Sequence, residues 1–175
     1  MIKTILVPID GSEHARKAAV LAGDIAEKYD AEVVLLHVAL PGNRLPEGLR
    51  RLAEVEHLVD PERHPAAPST GVPGDTIVAL RDRNESDLSE EAGARVGQWL
   101  LDQAEQSVRQ KGAQTIHKRL EAGDPVETIL ASARDITPNL IVMGSRGLST
   151  LEGLLLGSVS HKVSQLATCS CITVK

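Results

Sequence analysis

Aromatic residues are almost missing from this chain, and their scarcity limits what its core and its surface can be. The 175 residues include one Trp, one Tyr and no Phe. The core must therefore be built from Val, Leu, Ile and Ala, which suits parallel strands covered by helices. A surface with so few aromatic rings also lacks the platform on which single-stranded nucleic acids stack.

Strong positive charge and long apolar runs are missing too. The formal net charge is −5 and no basic stripe stands out, so we expect no binding to DNA or RNA. No apolar run approaches the ~20 residues that span a bilayer, so we expect no membrane segment. The apolar start at residues 1–7 is too short for a signal-peptide core and soon meets Pro8 and Asp10, which predicts a cytoplasmic protein.

Cysteines and clustered metal ligands are also scarce. The two cysteines, Cys169 and Cys171, stand two positions apart, where a bridge along one strand would be strained. We interpret both as ordinary thiols, since no further zinc ligands lie nearby. His57, Glu62 and His64 fit no zinc spacing either. The sequence therefore predicts no metal site built from protein side chains alone.

What the chain does contain is an alternation of strand and helix patterns. Apolar runs predict five strands, at 3–8, 32–38, 115–120, 140–143 and 171–174. Helical periodicity predicts four helices between them, over 13–30, 92–112, 125–136 and 159–167. This order predicts one α/β domain over 1–175, with a parallel sheet and helices on both faces. The third strand is more polar than the others, so we expect it near an edge.

A stretch rich in proline and glycine interrupts the alternation after the second strand. We interpret residues from Pro41 to about Asp87 as a long, partly mobile insertion. One piece of it shows an apolar stripe at helical spacing, formed by Leu49, Leu52, Val55, Leu58 and Val59. The insertion leaves from the end of the second strand, so we hypothesise that it partly covers a site at that edge of the sheet.

The most informative pattern is a pair of glycine segments near the end of the chain. Gly144 and Gly147 follow a buried strand, and after nine more residues Gly157 and Ser158 open the last helix. Glycines at a strand end let backbone N–H groups approach a ligand, and a helix start adds unpaired donors and a positive dipole end. Together the two segments predict a site for an anion, most simply a string of phosphates.

Asp10 stands at the end of the first strand, where a second part of this site is expected. Ligands of such sheets bind at the carboxyl ends of strands where the winding reverses, so Asp10 and Gly144 should meet if strands one and four are neighbours. The carboxylate could accept from ribose hydroxyls or hold Mg²⁺ through water. Alternatively, it could stabilise the bend at Gly11 and Ser12 as an Asx turn.

Several other candidates have both a binding and a structural interpretation. Ser158 could donate to a phosphate or cap its helix, and Arg146 could pair with phosphate or extend into solvent. Gly144 and Gly147 could be simple turn glycines. We interpret Met143 as core with one exposed edge. For His37 and His161, packing or surface roles are favoured over contact with a ligand.

Three parts of the sequence resemble the universal stress protein family. They are VPIDGS at 7–12, LHV at 36–38, and the paired segments MGSRG at 143–147 and GSVS at 157–160. The glycine spacing is similar to that of the ATP-binding members, and the resemblance covers residues 1–40 and about 90–175. It implies a doubly wound five-stranded sheet of order 3-2-1-4-5, of the adenine nucleotide alpha hydrolase-like type. It also implies a homodimer formed through the last strand, 171–174.

The resemblance also assigns roles to individual residues. ATP would lie between the ends of strands one and four, with Pro8, Asp10 and Val38 around adenine and ribose. The segment Met143, Gly144, Ser145, Arg146 and Gly147 would pass under the ribose and phosphates. Gly157, Ser158 and Val159 would bind phosphate oxygens. Two departures from the family are Ser170, where a proline is usual, and the length of the insertion.

Three functions follow as alternatives. The first is a nucleotide-dependent regulatory or stress-response protein with little or no hydrolysis, since the chain has neither a Walker phosphate loop nor a dinucleotide fingerprint. The second is a slow ATPase on the same fold, for which His161 and Asp10 are the candidate catalytic groups. The third is a dimeric scaffold that binds no nucleotide.

Overall fold

The computed structural model describes residues 1–40, 49, 58, 78–148 and 156–175, and for 78–92 the backbone alone. Within these ranges the strands are β1 (Thr4–Pro8), β2 (Glu32–Ala39), β3 (Ile116–Ala122), β4 (Leu140–Gly144) and β5 (Ser170–Val174). The helices are α1 (Glu13–Tyr29), α2 (Val78–Gln110), α3 (Pro125–Ile136) and α4 (Ser158–Leu166). The interpretations of Leu52, Val55, His57, Val59, Glu62 and His64 concern positions outside the described residues.

The strands form one parallel sheet in the order β3-β2-β1-β4-β5. This confirms the doubly wound topology that the family resemblance implied, with its winding reversed between β1 and β4. The polar strand β3 lies at an edge, as expected. β1 and β4 lie inside the sheet and are apolar nearly throughout, because both of their faces are covered.

Side chains of the strands alternate between two core layers. On one face, Ile5, Val7 and Leu35 join a cluster with α1 and α2. On the other, Leu6 and Ile141 join a cluster with α3 and α4. Helices therefore cover both faces of the sheet. Among the described helices, none is both long and apolar enough to cross a bilayer.

Helix α2 is longer than its sequence pattern predicts. It begins at Val78, whereas the prediction began at Ala92 and assigned residues up to about Asp87 to the insertion. The prediction followed apolar periodicity, which starts only near Ala92. No glycine or proline occurs between Gly74 and Gly93, so nothing in the backbone prevents a helix there. The predicted start of this helix near Ala92 is therefore wrong.

Two helix starts at the carboxyl edge, those of α1 and α3, follow the predicted capping signals. The side chain of Ser12 accepts from the amide of Ala15 at the start of α1. Asp124 caps α3 by accepting from two amides, with Pro125 in the first turn. Because α1 starts directly after β1, its first turn lies at the same edge as the end of β4.

Candidate functional site

The turn after β1 is held by its own side chains. The amide of Ser12 donates to Asp10 Oδ1 over 2.9 Å, which is an Asx turn. Gly11 between them has a φ of +86°, a conformation that favours glycine. The structural interpretation of Asp10 is thereby confirmed, and the same geometry directs its second oxygen, Oδ2, towards the loop after β4.

This turn meets the loop after β4 directly. Ser12 Oγ donates to the carbonyl oxygen of Arg146 over 3.2 Å. A β carbon on Gly147 would stand 2.6 Å from Asp10 Oδ2. One on Gly144 would stand 2.8 Å from the backbone nitrogen of Ala15 in α1. The predicted convergence of the Asp10 turn and the Gly144 loop is therefore confirmed. The two segments approach so closely that neither glycine position has room for a side chain.

The start of α4 forms the third side of the site. Its N-cap is Gly157, which has no side chain to cap the helix. The amide of Gly157 donates to the carbonyl oxygen of Ser145 over 2.7 Å. Ser158 is the first helical residue and is exposed, so the alternative that it caps the helix is wrong. The first turn therefore retains backbone N–H groups without a side-chain cap, the feature that suits an anion.

Ser145 is buried at the centre of this arrangement. It is 1% exposed, and its backbone binds both Val174 and Gly157. Its Oγ has no hydrogen-bond partner among the described residues. Ser160 Oγ donates to the carbonyl oxygen of Ser145 over 2.9 Å. A buried hydroxyl without a hydrogen-bond partner costs about 1–3 kcal/mol, so a partner beyond those that the described residues supply would be favourable.

A cleft of ≈ 250 Å³ lies between the first turn of α1 and the loop after β4. Its lining includes Gly11, Ser12, Glu13, His14, Arg146, Gly147 and Leu148. The sequence analysis did not identify Glu13, His14 or Leu148 as site residues. The first two could have been expected, because they begin the helix that starts at the predicted ligand edge. The carboxylate of Glu13 pairs with Arg16 at 2.6 Å. The hydrogen bond from Arg16 holds the pKa of Glu13 below its usual value.

The remaining predicted residues lie at the same edge with different degrees of burial. Pro8 ends β1 beside Leu36 of β2, and Val38 lies two residues further along β2. Val38 and Val159 are partly buried against the α3 and α4 cluster. Met143 is 3% exposed, so its expected exposed edge is almost absent.

His37 packs in the protein interior, His161 lies on the surface, and both cysteines are free thiols. His37 is 5% exposed, its Nδ1 lies 2.7 Å from the carbonyl oxygen of Ile9, and burial lowers its pKa. His161 is exposed on α4. Cys169 and Cys171 are free, partly buried thiols whose pKa values are raised by burial. No cluster of three metal-ligating side chains occurs in the part of the chain that the structure describes.

The strand order and the site at the switch between β1 and β4 define an adenine nucleotide alpha hydrolase-like fold. The sequence profile of the universal stress protein family matches residues 1–175, and the chain belongs to this family. It is 34% identical over 178 residues to the universal stress protein YxiE of Bacillus subtilis, with 100% of both chains covered.

Solved structures show the same fold. A universal stress protein in complex with cAMP has a TM-score of 0.62 and 24% identity, with 99% of this chain and 97% of that chain covered. A universal stress protein family protein of Arabidopsis thaliana with AMP bound has a TM-score of 0.58 and 18% identity, with 99% and 91% covered. At these identities the likeness establishes the fold alone.

Proposed function

We propose that this protein binds adenine nucleotides, ATP among them, in the cleft between the Asp10 turn and the loop after β4. One observation carries the proposal. The uncapped first turn of α4, which follows Gly157, meets the Ser145–Gly147 loop at the carboxyl edge of the sheet, and the half-buried Asp10 turn meets the same loop. Backbone N–H groups without side-chain caps at such an edge suit phosphate.

The candidate residues divide into two sets, one for the ribose and adenine end of a nucleotide and one for its phosphates. Asp10, Pro8 and Val38 would hold the ribose and adenine end. The backbone of residues 143–147 would pass beneath the ribose and phosphates, and Gly157, Ser158 and Val159 would bind phosphate oxygens. The cAMP and AMP carried by the two solved universal stress proteins share the adenine, ribose and phosphate that this division requires.

Magnesium would enter as part of the nucleotide complex. Asp10 Oδ1 already accepts from Ser12, and the described residues hold no cluster of three metal-ligating groups. A magnesium ion on the phosphates would keep most of its waters, and Asp10 would reach it through one of them. When bound, the ion supplies charge neutralisation to the phosphates.

The proposed role is regulatory, with little or no hydrolysis, in a cytoplasmic homodimer. β5 pairs with β4 alone among the described strands, so its outer edge offers unpaired N–H and C=O groups. Nucleotide occupancy at the carboxyl end of β4, the strand next to β5, would then alter the dimer or its affinity for a partner.

Calorimetric titration with ATP and AMP, in the presence of magnesium, tests the binding. We expect saturable binding of ATP, with no turnover at ordinary enzyme rates in a single-turnover assay. Absence of binding by both nucleotides would contradict the proposal and favour a scaffold without nucleotide. Turnover that is lost in His161→Ala would instead establish an ATPase.

A further inference from the structure

One leucine from the segment between β2 and α2 is buried against the turn that carries Asp10. Leu49 is 4% exposed and belongs to the core cluster shared with α1 and α2. Its Cδ2 lies 2.8 Å from where a β carbon on Gly11 would stand. The next nearest atoms belong to Leu100 of α2, at 3.1 and 3.5 Å. Leu49 and Leu100 thus pack together over Gly11.

Gly11 is the residue on which the geometry of the turn depends. It lies between Asp10, whose Oδ1 accepts from the Ser12 amide, and Ser12, whose Oγ donates to Arg146. It also lines the cleft and has a φ of +86°. A shift of Gly11 would therefore move both the Asp10 carboxylate and the contact with the loop after β4.

We propose that Leu49 is a positioning residue for the nucleotide, which fixes the Asp10–Ser12 turn by packing on Gly11. The inference rests on the proposed function and adds to it a link between the segment after β2 and the site. Leu49 acts through Gly11 and not by contact with the ligand. Because a site that is competent only part of the time binds with proportionally lower affinity, loosening this turn weakens binding.

Leu58 offers a matched control. It comes from the same segment and packs, partly buried, against the same cluster. Leu49→Ala and Leu58→Ala remove the same atoms, so both variants lose core packing, but the first also removes a contact with Gly11. Leu49→Met keeps the volume and serves as the rescue variant. Leu49→Val is a milder truncation that keeps the comparison informative if Leu49→Ala does not fold.

Amide hydrogen exchange at Ser12 in the ligand-free protein is the first measurement. This amide is the one that donates to Asp10 Oδ1. We expect faster exchange of Ser12 in Leu49→Ala and Leu49→Val than in Leu58→Ala and Leu49→Met, relative to core amides of the same variant. Equal relative exchange in all four variants would overturn the proposal.

Calorimetric titration with ATP is the second measurement. If the competent turn falls to a tenth of the population, the apparent Kd rises about tenfold in Leu49→Ala. We expect Leu58→Ala and Leu49→Met to stay within about twofold of the natural protein, so that loss of packing alone is excluded. Natural affinity in a folded Leu49→Ala or Leu49→Val would overturn the inference and leave nucleotide binding intact. Failure of the natural protein to bind ATP would contradict the proposed function, and Ser12 exchange would still decide whether Leu49 fixes the turn.

Discussion

Asp10 and Gly147 lie on loops from different strands, and a β carbon on Gly147 would stand 2.6 Å from Asp10 Oδ2. The carboxylate is held on its other oxygen by the amide of Ser12 at 2.9 Å. The absence of a side chain at 147 therefore lets the Asp10 turn and the loop after β4 close on each other. This contact joins the two halves of the proposed site.

Gly147→Ala should impair binding more than folding. The φ of Gly147 is not positive, so alanine is compatible with its backbone, and the atom it meets is the end of a side chain. The Asp10 carboxylate would turn away and lose its bond to Ser12, at a cost of about 1 kcal/mol in the free energy of unfolding. We expect about tenfold weaker ATP binding by calorimetry, which corresponds to ~1.4 kcal/mol.

Two glycines provide controls for this substitution. Gly144→Ala would meet the backbone nitrogen of Ala15 at 2.8 Å, where little can give way, so we expect a loss of ~1–3 kcal/mol in stability. Gly93→Ala on α2 meets nothing within 4 Å in the described part of the chain and should stabilise the helix by up to about 1 kcal/mol. Equal ATP affinity in Gly147→Ala and Gly93→Ala would show that the Asp10 carboxylate does not serve the ligand.

Ser158→Ala should separate ligand contact from helix capping. Ser158 is exposed and is not the N-cap of α4, so its removal should change the free energy of unfolding by less than about 0.5 kcal/mol. Ser12→Ala removes a true cap and should lower stability by about 1 kcal/mol. Urea unfolding measures both, and ATP titration of the same variants should show weaker binding in Ser158→Ala. Unchanged affinity there would remove Ser158 from the phosphate contacts.

Arg16→Ala should weaken the binding of ATP although Arg16 does not line the cleft. Arg16 forms two hydrogen bonds to the carboxylate of Glu13, at 2.6 and 2.8 Å, and Glu13 lines the cleft. Without its partner, the negative charge of Glu13 repels phosphate. We expect a loss of about twofold to fivefold in affinity at low ionic strength, fading as salt screens exposed charges. The double variant Glu13→Gln/Arg16→Ala should recover it, and a loss that persists there would contradict this cause.

His37 should make stability depend on pH. Burial lowers its pKa from the ordinary value of 6.5, while its bond to the Ile9 carbonyl and the charge of Asp10 oppose that shift. Below 6.5 the unfolded chain therefore binds a proton that the folded chain does not, and stability falls as the pH drops towards the lowered pKa. The slope approaches about 1.4 kcal/mol per pH unit. His37→Asn, compared by urea unfolding between pH 5 and 7, should lose this step, and an unchanged slope would assign it to other groups.

Local chemistry made much of the fold predictable. Apolar runs located the strands, and Asp124 and Pro125 located the start of α3, because these signals depend on neighbours in sequence. The start of α2 was misjudged because residues 78–92 form a helix without the apolar periodicity that the prediction followed.

The site was predictable only in part. The glycine spacing and Asp10 pointed to the correct edge, since parallel strands end together. Three features depend on packing between segments, and no local pattern encodes them: the approach of Leu49 to Gly11, the lack of a partner for the Ser145 hydroxyl within the described ranges, and Gly157 in place of Ser158 as the N-cap.

ATP binding by Gly157→Val tests the central claim most directly. Gly157 is buried, and a β carbon there would stand 3.3 Å from the carbonyl oxygen of Ser145, so branched methyl groups would fill space at the uncapped helix start. Gly93→Val is the matched control, because no atom of the described residues lies within 4 Å of its β position. In calorimetric titrations of folded proteins we expect natural ATP affinity in Gly93→Val and at least about tenfold weaker binding in Gly157→Val. Equal affinity in Gly157→Val and the natural protein would contradict the placement of phosphate at the start of α4.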